Sequence, residues 1–189
     1  QQILRQGFGL MYTMIIPIVI GGIVFAKEIT FTLYPNEDPT YSSEIFSVLL
    51  LNFIPVGLLY VLGPLLTAKK SFKVMIPSLI IASLMNIAIN YFLIPQYGAL
   101  GASIATISTQ IFMLLIYSIA VFHLFELKIQ FKFILQSISF LMVVFVMNYL
   151  LHQTGIFWLF ALAISGLSSL VVAYLLKIIS KETLDLKIH

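Results

Sequence analysis

Four stretches of this chain carry no charged residue, at 6–26, 45–68, 74–125 and 133–176, and together they hold 141 of its 189 residues. That distribution decides the fold class before any motif is considered. A helix needs about 20 apolar residues to cross the hydrocarbon core of a bilayer, so stretches of 21 and 24 residues hold one span each and stretches of 52 and 44 hold two each. The count is six. Composition agrees, since 61% of residues are hydrophobic and 9% charged, where a soluble domain carries about a quarter charged residues. A soluble enzyme, a disordered chain and a soluble protein with a single anchor are excluded. Transmembrane barrel strands alternate polar and apolar residues, and the runs Met75–Met85 and Ile138–Val146 do not. The chain is read as all-α, a polytopic bundle of six transmembrane helices.

The spans are placed at 8–26, 45–68, 74–94, 99–125, 133–151 and 156–176, with connections at 27–44, 69–73, 95–98, 126–132 and 152–155 and a tail from Lys177. Pro17 lies inside the first span, and Pro55 and Pro64 inside the second. Each removes a helical hydrogen bond and predicts a kink, which membrane helices tolerate when neighbours satisfy the freed carbonyl. Pro77 sits in a first turn, where proline is well accommodated. Pro95-Gln-Tyr-Gly98 reads as a helix stop followed by a tight turn. The first span is not a signal peptide, because Ile3–Gln6 is no basic leader and no small-residue cleavage pattern precedes Lys27. The chain begins Gln-Gln, and the expectation is a fragment whose N-terminal helices are missing.

Charge is sided. One side collects Arg5, Lys69, Lys70, Lys73, Lys128, Lys132, Lys177, Lys181 and Lys187, while the other has Lys27 alone beside Glu28, Glu37, Asp38 and Glu44. By the positive-inside rule both termini and the Lys69, Lys70, Lys73 loop are cytoplasmic, and Asn36–Ser43 faces outward. These three lysines read as topology determinants that touch lipid headgroups, with a substrate phosphate as the other candidate partner. The basic residues form no stripe along an amphipathic face, so nucleic acid is not an expected partner. The bilayer is.

Chemistry is sparse. No Asp, Glu, Lys or Arg falls within a span, and such residues usually mark proton relays and ion sites. His123 and His152 sit at span ends and His189 closes the chain, positions where a ring reaches the interface. There is no cysteine, no Ser-His-acid set, no metal-ligand spacing and no glycine-rich phosphate loop. No enzyme, metal or cofactor is indicated.

The neutral polar residues say more. Asn86 and Asn90 share one face of the third span, with Ser83 in line. They either line a hydrated cavity that hydrogen-bonds sugar hydroxyls or tie helices together. Asn52, one turn before Pro55, invites the same two readings, its side chain serving the carbonyl that Pro55 frees. Small residues recur every four positions, as Gly98 and Ala102, as Gly101, Ala105 and Thr109, and as Ala161, Ser165, Ser169 and Ala173, and such stripes are packing faces. Tyr34, Tyr41, Tyr97, Tyr149 and Trp158 lie near the outer boundaries as aromatic-belt anchors.

The segment Asn86-Ile-Ala-Ile-Asn90-Tyr-Phe-Leu-Ile-Pro95-Gln-Tyr-Gly98-Ala-Leu-Gly101-Ala102-Ser-Ile-Ala105-Thr106 resembles the most recognisable stretch of bacterial polysaccharide flippases. These belong to the multidrug/oligosaccharidyl-lipid/polysaccharide exporter superfamily. Leu65-Leu66-Thr67-Ala68-Lys69-Lys70 looks like the family's helix end and basic loop, and Thr30–Tyr34 looks like its span end, with Pro35 where glycine is frequent. The resemblance implies two six-helix lobes around a cavity, with 1–125 as four helices of the second lobe and 126–189 as a loop, an added C-terminal helix pair and a tail. It also implies alternating access, carrying an undecaprenyl-diphosphate-linked oligosaccharide across the bacterial inner membrane for O-antigen or capsule. Basic residues in the cavity are expected to hold the diphosphate, and no span here supplies one. A multidrug antiporter of the same superfamily is the near alternative and should carry an intramembrane carboxylate. A non-transporting scaffold subunit is the distant one.

Overall fold

The computed structural model describes residues 2–126, 131–176 and 178. Its elements are eight helices, namely α1 (Gln2–Val24), α2 (Ala26–Leu33), α3 (Pro39–Leu51), α4 (Phe53–Ala68), α5 (Phe72–Tyr97), α6 (Ala99–Phe125), α7 (Phe131–Gln153) and α8 (Trp158–Leu175). Six segments are long and apolar enough to cross a membrane, Gln6–Val24, Pro39–Ala68, Phe72–Tyr97, Ala99–Phe125, Phe131–Gln153 and Trp158–Leu175. The six-span reading stands. Lys128, Lys177, Lys181, Lys187 and His189, together with the Arg5 side chain, lie outside the described residues.

Three connections differ from the expectation. The 27–44 segment is mostly helical: after one break at Phe25, α2 occupies Ala26–Leu33 and α3 begins at Pro39. The early start of α3 has a local cause. Asp38 Oδ1 accepts from the backbone N–H of Thr40 at 2.8 Å and of Tyr41 at 3.4 Å, and Pro39 fills the first helical position, where its missing N–H is no loss. The second span is accordingly longer than 45–68, and it is interrupted. Pro55 cannot donate, and its ring crowds the carbonyl four residues back, on Leu51; α3 ends at Leu51 and α4 starts at Phe53. Asn52 bridges them with helical angles, its N–H shared between Val48 and Leu49 carbonyls at 3.3 and 3.2 Å. Helix runs unbroken through Pro17 in α1 and Pro64 in α4.

The third difference is at Pro95, which does not stop its helix. α5 continues to Tyr97, and the whole turn to α6 is made by Gly98 at φ 55°, ψ −129°. A tight reversal needs only one residue there because glycine tolerates positive φ.

Packing places α1 at the centre, against α3, α4, α7 and α8, while α6 packs on α5, α4 and α3. α7 and α8 pair with each other on the far side of α1. Apolar side chains cluster accordingly, as Leu62, Leu66, Met113, Tyr117 and Val121 between α4 and α6 and as Ile16, Phe140, Val144 and Ala173 between α1, α7 and α8. Two of the three small-residue stripes are contact faces, with Gly101, Ala105 and Thr109 buried in α6 and Ala161, Ser165, Ser169 and Ala173 in α8, while Gly98 is exposed and Ala102 half-buried. Along the remaining faces large apolar side chains such as Leu84, Ile87, Phe145 and Leu167 stand exposed, as lipid-facing surfaces require.

Candidate functional site

Most hydroxyls within the spans are satisfied on their own helix. Ser103, Thr106, Ser108 and Thr109 each donate to a carbonyl one turn back, at 2.7–3.1 Å. Bonds between helices come from the Tyr12 hydroxyl, which donates from α1 to the Ser137 carbonyl of α7 at 2.8 Å, and from the amides. Asn90 Nδ2 donates to Asn86 Oδ1 at 2.9 Å, and Asn86 Nδ2 donates to Thr109 Oγ1 of α6 at 3.5 Å. The pair expected from their spacing is thus a continuous donor chain across the α5–α6 seam. Its far end is open, since Asn90 Oδ1 is buried with no partner. Ser83, expected in line with them, is exposed while its neighbour Ala82 is buried. Asn52 makes no side-chain cap, and its Oδ1 is likewise buried without a partner. Its side chain does not serve the Leu51 carbonyl that Pro55 frees, and its backbone N–H goes instead to the Val48 and Leu49 carbonyls.

A second amide went unrecognised in the sequence. Asn148 of α7 is fully buried and donates to Val144 O and to Ser165 Oγ of α8, both at 2.8 Å. Its Oδ1 has no partner and faces Gly21 of α1, where a Cβ would lie 3.0 Å away. Three helices meet at that point. The signal available was Ser165, which the stripe argument had already put on a contact face.

The two ends of the bundle differ in chemistry. Lys69, Lys70, Lys73 and Lys132 lie at one end, and Lys69 Nζ sits 5.3 Å from the centroid of the Phe125 ring, within cation–π range. Lys70 holds φ 53°, a left-handed position usually given to glycine, and Ser71 N–H closes back on Leu66 O at 2.9 Å. At the opposite end, α2 is tied to α7 and α8. His152 Nε2 and Glu28 Oε1 are 2.8 Å apart, and Trp158 Nε1 donates to Thr32 Oγ1 at 3.2 Å. Tyr41 donates to the Tyr97 carbonyl at 2.9 Å. The His152–Glu28 and Trp158–Thr32 contacts frame a cavity of about 310 Å³ lined by Phe25, Glu28, Phe31, Thr32, His152, Gly155, Ile156, Phe157 and Trp158. His152, read in the sequence as an interfacial ring alone, is a partner in a cross-helix hydrogen bond with Glu28. Among the described residues no three His, Asp or Glu side chains converge as a metal site.

A bundle with interrupted spans, neutral amides at its seams and charge only at its ends is suited to passing a polar cargo without covalent chemistry. Comparison with known proteins gives this a family. A family profile described as lipid II flippase MurJ matches residues 1–167. The chain belongs to this family. Two curated relatives from Helicobacter pylori, strains J99 and 26695, each named probable lipid II flippase MurJ, are 31% identical over 99 residues. Those alignments cover 50% of this chain and 22% of each relative, so the match reaches well under half of the curated proteins' length. No solved structure matches.

Membership of the MurJ family makes the chain part of an integral membrane transporter family of flippase type within the exporter superfamily recognised from its sequence. It also narrows that recognition. The O-antigen and capsule branch is not shown by these relatives.

Proposed function

We propose that these six spans contribute to a flippase that moves lipid II, the lipid-linked peptidoglycan precursor, across the bacterial cytoplasmic membrane. The observation carrying this reading is the family match over residues 1–167. The physical task is to move a large polar head through a medium that offers it no hydrogen bonds. Asn52, Asn86 and Asn90 supply neutral polar groups for such a path, and the Oδ1 atoms of Asn52 and Asn90, buried without a partner in this state, become acceptors for sugar or amide N–H and O–H groups only where the helices around them part. Neutral lining holds the head weakly enough to release it. The diphosphate needs cations, and this chain offers them only at or beyond span ends, with Lys69, Lys70, Lys73 and Lys132 gathered at one end and Lys27 at the other.

In this reading the lysine-rich end is cytoplasmic, residues 1–125 form four helices of one lobe, and 126–189 supply an accessory pair. Interrupted α3–α4 and the single-residue turn at Gly98 are the points where rocking between inward-open and outward-open states can be absorbed. The test is a strain in which the complete gene is repressible. Depletion should halt peptidoglycan synthesis with lipid-linked precursor accumulating, and re-expression should restore it. Intact peptidoglycan with loss of a surface polysaccharide would instead sink the lipid II assignment.

A further inference from the structure

The cavity between α2 and the α7–α8 turn has a chemistry that the transport path does not use. Its lining contains one carboxylate, Glu28, and no Lys or Arg. His152 Nε2 meets Glu28 Oε1 at 2.8 Å, a contact that engages one carboxylate oxygen and leaves the second to a ligand. Phe31 and Phe157 are 59% and 52% exposed, so their rings are open to a ligand rather than packed away. Phe157 lies against Trp158 with centroids 5.4 Å apart. The Trp158 N–H is committed to Thr32, so the indole offers its face and not its donor.

Ring faces carry the negative end of an aromatic quadrupole, and together with a carboxylate they make a receptor for a cation and a poor one for an anion. The site lies where α7 ends and α8 begins, beside Ile156, Leu159 and Phe160, which are exposed and apolar. A ligand there can keep acyl chains in the bilayer and its head in the cavity. We propose that this cavity binds the primary ammonium headgroup of a phosphatidylethanolamine-type lipid, with Glu28 accepting its N–H groups and Phe31, Phe157 and Trp158 facing the cation. The bound lipid would wedge α2 against the α7–α8 pair. This inference stands independently of the transported substrate.

The full-length protein in detergent is titrated with dihexanoyl phosphatidylethanolamine, phosphatidylcholine or phosphatidylglycerol, reading the part of the tryptophan fluorescence that Trp158→Phe removes. Phosphatidylethanolamine should bind about tenfold tighter than phosphatidylglycerol, with phosphatidylcholine between them, since only the first has N–H groups for the carboxylate. Glu28→Gln keeps an acceptor for His152 and removes the charge, and it should abolish most of that preference. Phe31→Leu and Phe157→Leu, at exposed positions, should each weaken binding about threefold with helicity unchanged, and they decide the matter if Glu28→Gln does not fold. Equal binding of all three lipids, or a preference untouched by these substitutions, overturns the assignment. Displacement of the lipid by free N-acetylglucosamine overturns it in favour of a sugar site.

Discussion

Gly101 is where the α5–α6 seam is tightest, and replacing it with alanine probes the packing directly. An alanine Cβ at 101 would lie 2.5 Å from the Leu93 carbonyl oxygen and 2.7 Å from its carbon. Both are backbone atoms and cannot swing aside. Ordinary carbon-to-oxygen contact begins at about 3.3 Å, so the helices must separate by roughly 0.8 Å at this level. Overpacking of this kind costs about 1–3 kcal/mol, against which the better helix propensity of alanine returns at most about 1 kcal/mol. The net expectation is a loss of about 0–2 kcal/mol against the wild type, and of about 1–3 kcal/mol against another Gly→Ala change in a helix interior, where the propensity gain cancels. A shift of that size also carries Asn86 Nδ2 and Thr109 Oγ1, already 3.5 Å apart, out of hydrogen-bond range. The assay is reversible unfolding in mixed micelles, with Gly63→Ala as the internal control, because nothing lies within 4 Å of a Cβ there. If Gly101→Ala is as stable as Gly63→Ala to within about 0.5 kcal/mol, a surface-like effect, the close approach of α5 and α6 is refuted.

Three further outcomes are expected. Lys70→Gly relieves a left-handed backbone at φ 53° and should raise stability by about 0.5–1 kcal/mol in the same unfolding assay; destabilisation would show that the lysine side chain earns its place by contact. The Asn86→Ala, Asn90→Ala double variant should fold, by helicity and gel filtration, yet restore growth of depleted cells poorly, and full complementation removes both residues from the path. Single cysteines at Ser71 and Glu37 fix the orientation, since Asp38 is needed as a cap. Impermeant thiol reagent applied to intact spheroplasts should label position 37 and spare 71, and the reverse pattern inverts the topology.

The spans were legible because desolvating a charge in hydrocarbon is so unfavourable that charge-free length alone counts helices. Local exceptions were less so, because each depends on a partner several residues away. Pro55 acts on the Leu51 carbonyl, and so breaks the helix before itself and not at itself. Pro95 was overruled by Gly98, which can turn the chain alone and leaves α5 free to run on. Of the site residues, Asn86 and Asn90 announced themselves by spacing. Asn148 and Ser165 did not, for their bond crosses two helices, and Glu28 and His152 are 124 positions apart. Periodicity gives the face a residue occupies, and only the packing order of α1, α7 and α8 gives what that face meets.

The central claim is that this membrane bundle serves movement of lipid II between leaflets. The most direct measurement is the amount of lipid II exposed on the outer face of spheroplasts, read with a membrane-impermeant lipid II-degrading probe before and after depletion of the complete protein. The account predicts that the total pool rises while the probe-sensitive fraction collapses, and that re-expression reverses both. A probe-sensitive fraction unchanged by depletion, in cells with no second flippase, would contradict it.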